Sequence, residues 1–166
     1  MKLKAIFVGV ALLFSAQASA QTVTSFGYYN AHENDLDVDF GVLVGSVGYQ
    51  FEPADAIRIV PEVRGGIGVT DESILGAEIK IRNVVAAALR VELAISEPVY
   101  LYTVSSYGEY EFKAEDRVLG SATVSDDDFG FGGGVGFNAS QELAFEAGYE
   151  DVGGLDVFNA SVRVRF

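Results

Sequence analysis

The last nine residues, Phe158-Asn159-Ala160-Ser161-Val162-Arg163-Val164-Arg165-Phe166, alternate without a break. Phe158, Ala160, Val162, Val164 and Phe166 share one face, and Asn159, Ser161, Arg163 and Arg165 share the other. Successive side chains of an extended chain point to opposite sides, so this stretch reads as a strand with one apolar and one polar face. The same grammar runs upstream. Glu142–Glu150 sets Leu143, Phe145, Ala147 and Tyr149 against Glu142, Ala144, Glu146, Gly148 and Glu150. Asp128–Phe137 places Phe129, Phe131, Gly133, Val135 and Phe137 on one face and Gly130, Gly132, Gly134 and Gly136 on the other.

Earlier segments follow the rule at greater length. Within Ala56–Thr70, Ile57, Ile59, Pro61, Val63, Ile67 and Val69 alternate with Arg58, Glu62 and Arg64. Residues 76–94 put Ile79, Ile81, Val85, Ala87, Leu89, Val91 and Leu93 opposite Glu78, Lys80, Arg82, Arg90 and Glu92. Leu43, Val47, Tyr49 and Phe51 mark a further apolar face within residues 38–51. Residues 22–30 and 98–113 read as strands whose facing the pattern leaves open. Short turn-type breaks at Glu52-Pro53-Ala54-Asp55, Ser96-Glu97-Pro98 and Asn138-Ala139-Ser140-Gln141 separate pairs of these segments. The alternate breaks, Ala31–Asp37, Asp71–Leu75, Ala114–Asp127 and Val152–Leu155, are longer or more acidic. The expected architecture is all-β: eight antiparallel strands in up-and-down order, with short turns and both termini at one end.

Composition narrows the function classes. The 166 residues contain no cysteine, which excludes disulfides, thiolate metal sites and thiol catalysis. With 11 Lys+Arg against 24 Asp+Glu, the chain lacks the basic surface that phosphate neutralisation needs, so no nucleic-acid partner is expected. The N-terminus carries an address. Lys2 and Lys4 precede the ten-residue apolar run Ala5–Phe14, and Ala18-Ser19-Ala20 fits a small-residue cleavage site. That run is too short for a membrane helix, which takes about 20 residues. Residues 1–20 are therefore expected to be a cleavable signal peptide, cut between Ala20 and Gln21, with residues 21–166 forming the exported domain. Loss of Lys2 and Lys4 takes the formal charge from −13 to −15.

Alternation alone does not say which face is inside a closed barrel. Three features favour the polar face. Glycines at 130–136 leave gaps of the kind that a crowded lumen needs. The polar-face charges nearly balance, with Arg58, Arg64, Lys80, Arg82, Arg90, Arg163 and Arg165 set against Glu62, Glu78, Glu92, Glu109, Glu111, Glu142, Glu146 and Glu150. Buried charges need partners, and a narrow interior supplies them. Finally, the cleanest strand ends in an aromatic residue, Phe166. A charge turned toward lipid at mid-depth costs about 2–4 kcal/mol, so in a membrane Arg163 and Arg165 belong inside.

The export signal, the eight amphipathic segments, the terminal SVRVRF and the phrases GSVGYQF (45–51), GGGVGF (132–137) and FEAGYED (145–151) resemble the small outer-membrane β-barrel family. That group includes OmpA-like and OmpX-like proteins and opacity-type surface proteins. The resemblance covers residues 22–166. It implies an eight-stranded transmembrane barrel in the outer membrane, with outer-membrane lipid as its surroundings. It also implies that Val162, Val164 and Phe166 form the signal read by the barrel-assembly machinery.

Signals for chemistry are weak. His32 is the one histidine and stands beside Glu33, and no spacing links it to a serine nucleophile. The acidic runs Glu33/Asp35/Asp37/Asp39, Asp71/Glu72 and Asp126-Asp127-Asp128 lack a calcium-loop pattern and read as solvated surface. The tyrosines read as belt residues at a membrane interface. No enzyme activity, metal or other cofactor is expected. The lumen network is expected to comprise Arg58, Glu62, Arg64, Glu78, Lys80, Arg82, Arg90, Glu92, Glu142, Glu146, Glu150, Arg163 and Arg165. The expected role of this monomer is structural or surface-interacting, through acidic loops whose partner the sequence does not name. The alternatives are a soluble periplasmic barrel with reversed faces that binds a small apolar ligand, and a narrow porin-like channel.

Overall fold

The computed structural model describes residues 21–33, 38–70, 72–74, 77–116 and 120–166. The expected signal peptide, residues 1–20, and much of the first two acidic runs lie outside them. The strands are β1 (Gln21–Glu33), β2 (Val38–Ala54), β3 (Ile57–Gly68), β4 (Glu72–Ile74), β5 (Ala77–Ala94), β6 (Val99–Asp116), β7 (Gly120–Asn138), β8 (Leu143–Val152) and β9 (Leu155–Arg165). Each long strand pairs antiparallel with its sequence neighbours, β9 pairs with β1, and β3 pairs directly with β5. Eight long strands thus close a barrel. The three-residue β4 pairs with β5 at Ala77–Ile79, at the loop end.

Closure gives every wall strand two partners, so no open sheet edge remains around the wall itself. Short turns join β2 to β3, β5 to β6 and β7 to β8, at the end that also holds Gln21 and Phe166. Opposite them, β8 and β9 meet at Gly153-Gly154, with φ of 60° and 92°. Two consecutive positive φ values suit a tight two-residue hairpin and favour glycine at both positions. This connection, expected among the longer or more acidic ones, is a two-residue turn.

One irregularity changes the facing. The β5–β6 register shifts between Ile81 and Asn83, so the strand carries one extra residue there. Below the bulge, Val85, Ala87, Leu89, Val91 and Leu93 point outward as the alternation requires. Above it the phase inverts. Ile81, expected outside, is buried in the lumen, and Arg82, expected inside, is exposed on the outer wall.

Candidate functional site: a two-layer lumen inside an apolar wall

Alternation in each strand sends one set of side chains to the exterior. Phe145 and Leu89 are 50% and 49% exposed, whereas Arg163 is 1% exposed. From Val85 to Ile95 the wall carries eleven residues, which at about 3.3 Å each and ~40° tilt give an apolar band about 25 Å tall. Aromatic side chains rim this band at both levels. Phe137, Phe145 and Phe166 lie toward the short turns, while Tyr28, Tyr107, Phe129, Tyr149 and Phe158 lie toward the loops. Tyr149 and Phe158 pack at 5.2 Å between ring centroids.

The lower half of the lumen is a continuous ionic network. Arg64 Nη1 donates to Glu150 Oε1 at 2.8 Å, and its Nε donates to Glu62 Oε1 at 2.9 Å. Glu62 Oε2 in turn accepts from Arg163 Nη2 at 3.1 Å. Arg163 Nε reaches Glu146 Oε1 at 3.0 Å, and that carboxylate also pairs with Arg90. Arg90 Nε closes the chain on Glu92 Oε1 at 2.9 Å. Four buried arginines (Arg64, Arg90, Arg163 and Arg165) meet four buried glutamates (Glu62, Glu92, Glu146 and Glu150), so the layer is neutral as a whole. Neutrality and shared hydrogen bonds let charges persist where isolated ones could not.

Tyrosines complete this layer. Tyr100 donates to Glu146 Oε1 at 2.5 Å, and the Arg90 guanidinium carbon lies 3.4 Å from the Tyr102 ring centroid. The register places Tyr100 opposite Gly136 and Tyr102 opposite Gly134. A Cβ on Gly134 would come within 2.6 Å of Tyr102 Cζ, and one on Gly136 would run into the Tyr100 ring. The glycine face of β7 is therefore the space that two lumen rings occupy. Tyr29, Tyr100, Tyr102 and Tyr110 face inward, contrary to the expectation that the tyrosines form a belt; Tyr28, Tyr49, Tyr107 and Tyr149 face outward.

At the short-turn mouth the network opens into a vestibule of about 640 Å³ lined by Gln50, Glu52, Arg58, Glu97, Asn138 and Arg165, among others. Arg58 and Arg165 approach Glu92 Oε2 only to 3.7 and 3.9 Å, the loosest contacts of the network.

The upper half of the lumen is apolar. Ala31, Val38, Phe40, Val42, Val44, Ile81, Val84, Val152 and Val157 form one buried cluster, with Tyr29, Tyr110 and Phe112 packed against it. Sequence reading missed this layer. Its signal lay in Val38, Phe40, Val42 and Val44, which share a face opposite to that of Leu43, Val47 and Tyr49. A cavity of only about 50 Å³ sits where the two layers meet, between Arg64 and Glu150 below and Val44, Ile81 and Val84 around it.

Of the expected lumen residues, the structure brings together Glu62, Arg64, Arg90, Glu92, Glu146, Glu150, Arg163 and Arg165, with Arg58 at the mouth. It does not bring in Glu142, which is exposed in the turn before β8. Lys80 lies opposite Lys113 on the outward phase of the upper wall, and Arg82 pairs outside with Glu111 at 2.8 Å. The bulge is the cause in both cases. The Glu78 side chain lies outside the described residues. His32 shares Asp39 with Asn30, at 3.2 and 3.1 Å, on the outer face of β1 and β2. Among the described residues no three metal-ligating side chains converge. Asp128 stands just above the apolar band; burial and its neighbours Asp126 and Asp127 hold its carboxyl above the usual range.

A closed eight-stranded wall, greasy outside and ionic within, has solved counterparts. The fold is that of the small outer-membrane β-barrels. The attachment invasion locus protein Ail of Yersinia pestis superposes with a TM-score of 0.63 at 17% identity, over 89% of this chain and 97% of that one. The N-terminal β-barrel domain of Pseudomonas aeruginosa OprF gives 0.61 at 9% identity, covering 89% and 100%. Neisserial surface protein A gives 0.60 at 14%, covering 89% and 97%. No protein-family model matches the chain, and no curated protein matches it. At these identities the likeness is one of fold.

Proposed function

We propose that the chain is an integral outer-membrane barrel with a structural or surface-interaction role, its acidic loops outward and its short turns toward the periplasm. One observation carries this reading: charges are inside and the apolar wall is outside. Twenty-three large hydrophobic side chains are exposed among the described residues, most of them on the barrel wall, far more than a water-soluble monomer tolerates. A soluble barrel with reversed faces would need Arg163 and Glu146 in water, whereas both are buried. On this reading residues 1–20 direct export and are cut before Gln21. Val162, Val164 and Phe166, on the outer face of β9, then present the terminal strand to the assembly machinery. The barrel works as a monomer and performs no catalysis; His32 serves as an outer-wall partner of Asp39.

Both lumen layers speak against a diffusion pore, since an eight-stranded barrel has room for side chains and little else. The test has two arms. Membrane fractions should hold the protein, with gel mobility that changes on boiling; recovery from the soluble periplasm would overturn the assignment. Planar bilayers containing refolded protein should stay without steady conductance, and stable open channels would favour the narrow-pore reading instead.

A further inference from the structure

Cleavage before Gln21 creates a new chemical group, an α-ammonium, and the fold fixes where that group lands. β1 begins at Gln21, whose register partner on β2 is Gln50. On the other side of β1, Phe166 N–H donates to Thr22 O. Residues of an antiparallel strand bond alternately to their two neighbours, so Thr22 bonds to β9 and Gln21 turns its nitrogen toward β2 and the Gln50 carbonyl. The Gln21 side chain stands roughly perpendicular to the sheet. It shares a face with Val23, which is buried in the lumen, and it lines the short-turn vestibule.

β2 carries a carboxylate at that place. Glu52 stands two residues beyond Gln50 on the same face, and Gln50 Nε2 donates to Glu52 Oε1 at 3.0 Å. Arg58 Nε donates to the same oxygen at 3.2 Å, which leaves Oε2 for a further donor. The β1–β2 ladder ends at the Gln21–Gln50 pair, so Glu52 is the diagonal neighbour of the Gln21 nitrogen.

Charge points the same way. The buried layer of four arginines and four glutamates is neutral, whereas the vestibule adds Arg58 against Glu52 and Glu97, an excess of one negative charge. Before cleavage the Gln21 nitrogen is a neutral amide whose one proton is directed at Gln50. Cleavage gives it two more donors and the positive charge that balances the mouth.

A free N-terminal glutamine is also reactive. Its α-nitrogen lone pair attacks the side-chain Cδ, the N–Cδ bond forms, and the Cδ–Nε2 bond breaks. Ammonia leaves with a proton from the attacking nitrogen, and the product is a neutral five-membered lactam. The fold opposes this step twice. The ladder holds the nitrogen toward β2 while the side chain points into the vestibule, and ring closure has to bring the two together. A neighbouring carboxylate favours the protonated amine, which has no lone pair to attack with.

We propose that the vestibule is the binding site of the chain's own new terminus: the Gln21 α-ammonium pairs with Glu52, balances the mouth and stays uncyclised. This rests on cleavage before Gln21 and makes removal of the leader a step in completing the barrel.

The test uses processed full-length protein purified from membranes in detergent, with the intact mass and the N-terminal peptide followed during incubation at neutral pH. The folded barrel should keep its ammonia. The same chain unfolded in urea should lose it at least about tenfold faster, because the folded terminus must first open locally. Glu52→Gln should speed the loss several-fold in the folded barrel, with heat-modifiable gel mobility showing that the fold is intact. Glu97→Gln, which lowers the same vestibule charge from the β5–β6 turn, should leave the loss slow. A lactam already complete in freshly purified barrel, equal rates folded and unfolded, no effect of Glu52→Gln, or an equal effect of Glu97→Gln would each overturn the proposal. A terminal peptide that starts elsewhere than Gln21 overturns the cleavage reading and this pairing together. A Gln21 terminus found as the lactam overturns the pairing alone.

Discussion

In the lower lumen, Glu62, Arg64, Arg90, Glu92, Glu146, Glu150, Arg163 and Arg165 fill the cross-section with charges that bond one another. In the upper lumen, Val38, Phe40, Val42, Val44, Ile81 and Val84 fill the same cross-section with hydrocarbon. Both solutions exclude solvent and tie together strands distant in sequence, but they fail differently. A hydrocarbon layer loses stability in proportion to what is removed and to how well its neighbours collapse. An ionic layer is close to neutral in net energy while complete, and is strongly destabilised by loss of a single member, because the partner is left charged and buried.

The largest expected effect follows from that asymmetry. Arg163→Met leaves Glu62 and Glu146 each short of a partner and should cost about 3–5 kcal/mol. Denaturant unfolding in detergent micelles measures it, and the double change that also makes Glu62 glutamine, which returns the buried layer to three arginines and three glutamates, should recover part of the loss. Ile81→Ala in the upper layer should cost about 2–4 kcal/mol with no recovery from any charge change. Gly136→Ala places a methyl where the Tyr100 ring lies, for about 1–3 kcal/mol of overpacking. Adding Tyr100→Ala should make the Gly136 change nearly silent, a non-additivity that a double-mutant cycle reads directly. Smallest is Arg82→Ala on the outer wall, below about 1 kcal/mol, since its bond to Glu111 is largely exposed to solvent. Should Arg82→Ala prove as damaging as Arg163→Met, the inside–outside distinction across the bulge would be lost.

The ionic layer was legible because most of its members stand between apolar neighbours, as Arg163 does between Val162 and Val164. Facing could then be read by counting in twos. The upper layer was not, because Val42, Leu43 and Val44 are all apolar and alternation is silent when both faces agree. The bulge hid the placement of Ile81, Lys80 and Arg82 for a different reason. One inserted residue inverts every side chain beyond it, and nothing in the local composition marks the insertion. The glycines of β7 announced a gap, but what fills it depended on the register that sets Tyr100 against Gly136.

The seam between β1 and β9 joins Val23 to Arg165, two positions near opposite ends of the chain. Contacts so remote in sequence demand the largest loss of chain entropy before they repay anything, so they belong late in folding. The terminal strand does not arrive with backbone bonds alone: Arg163 reaches Glu62 on β3, and Arg165 reaches Gln50 on β2. These two long arms rivet the cylinder from within, and they make the final docking event the one that sets the strength of the whole ring.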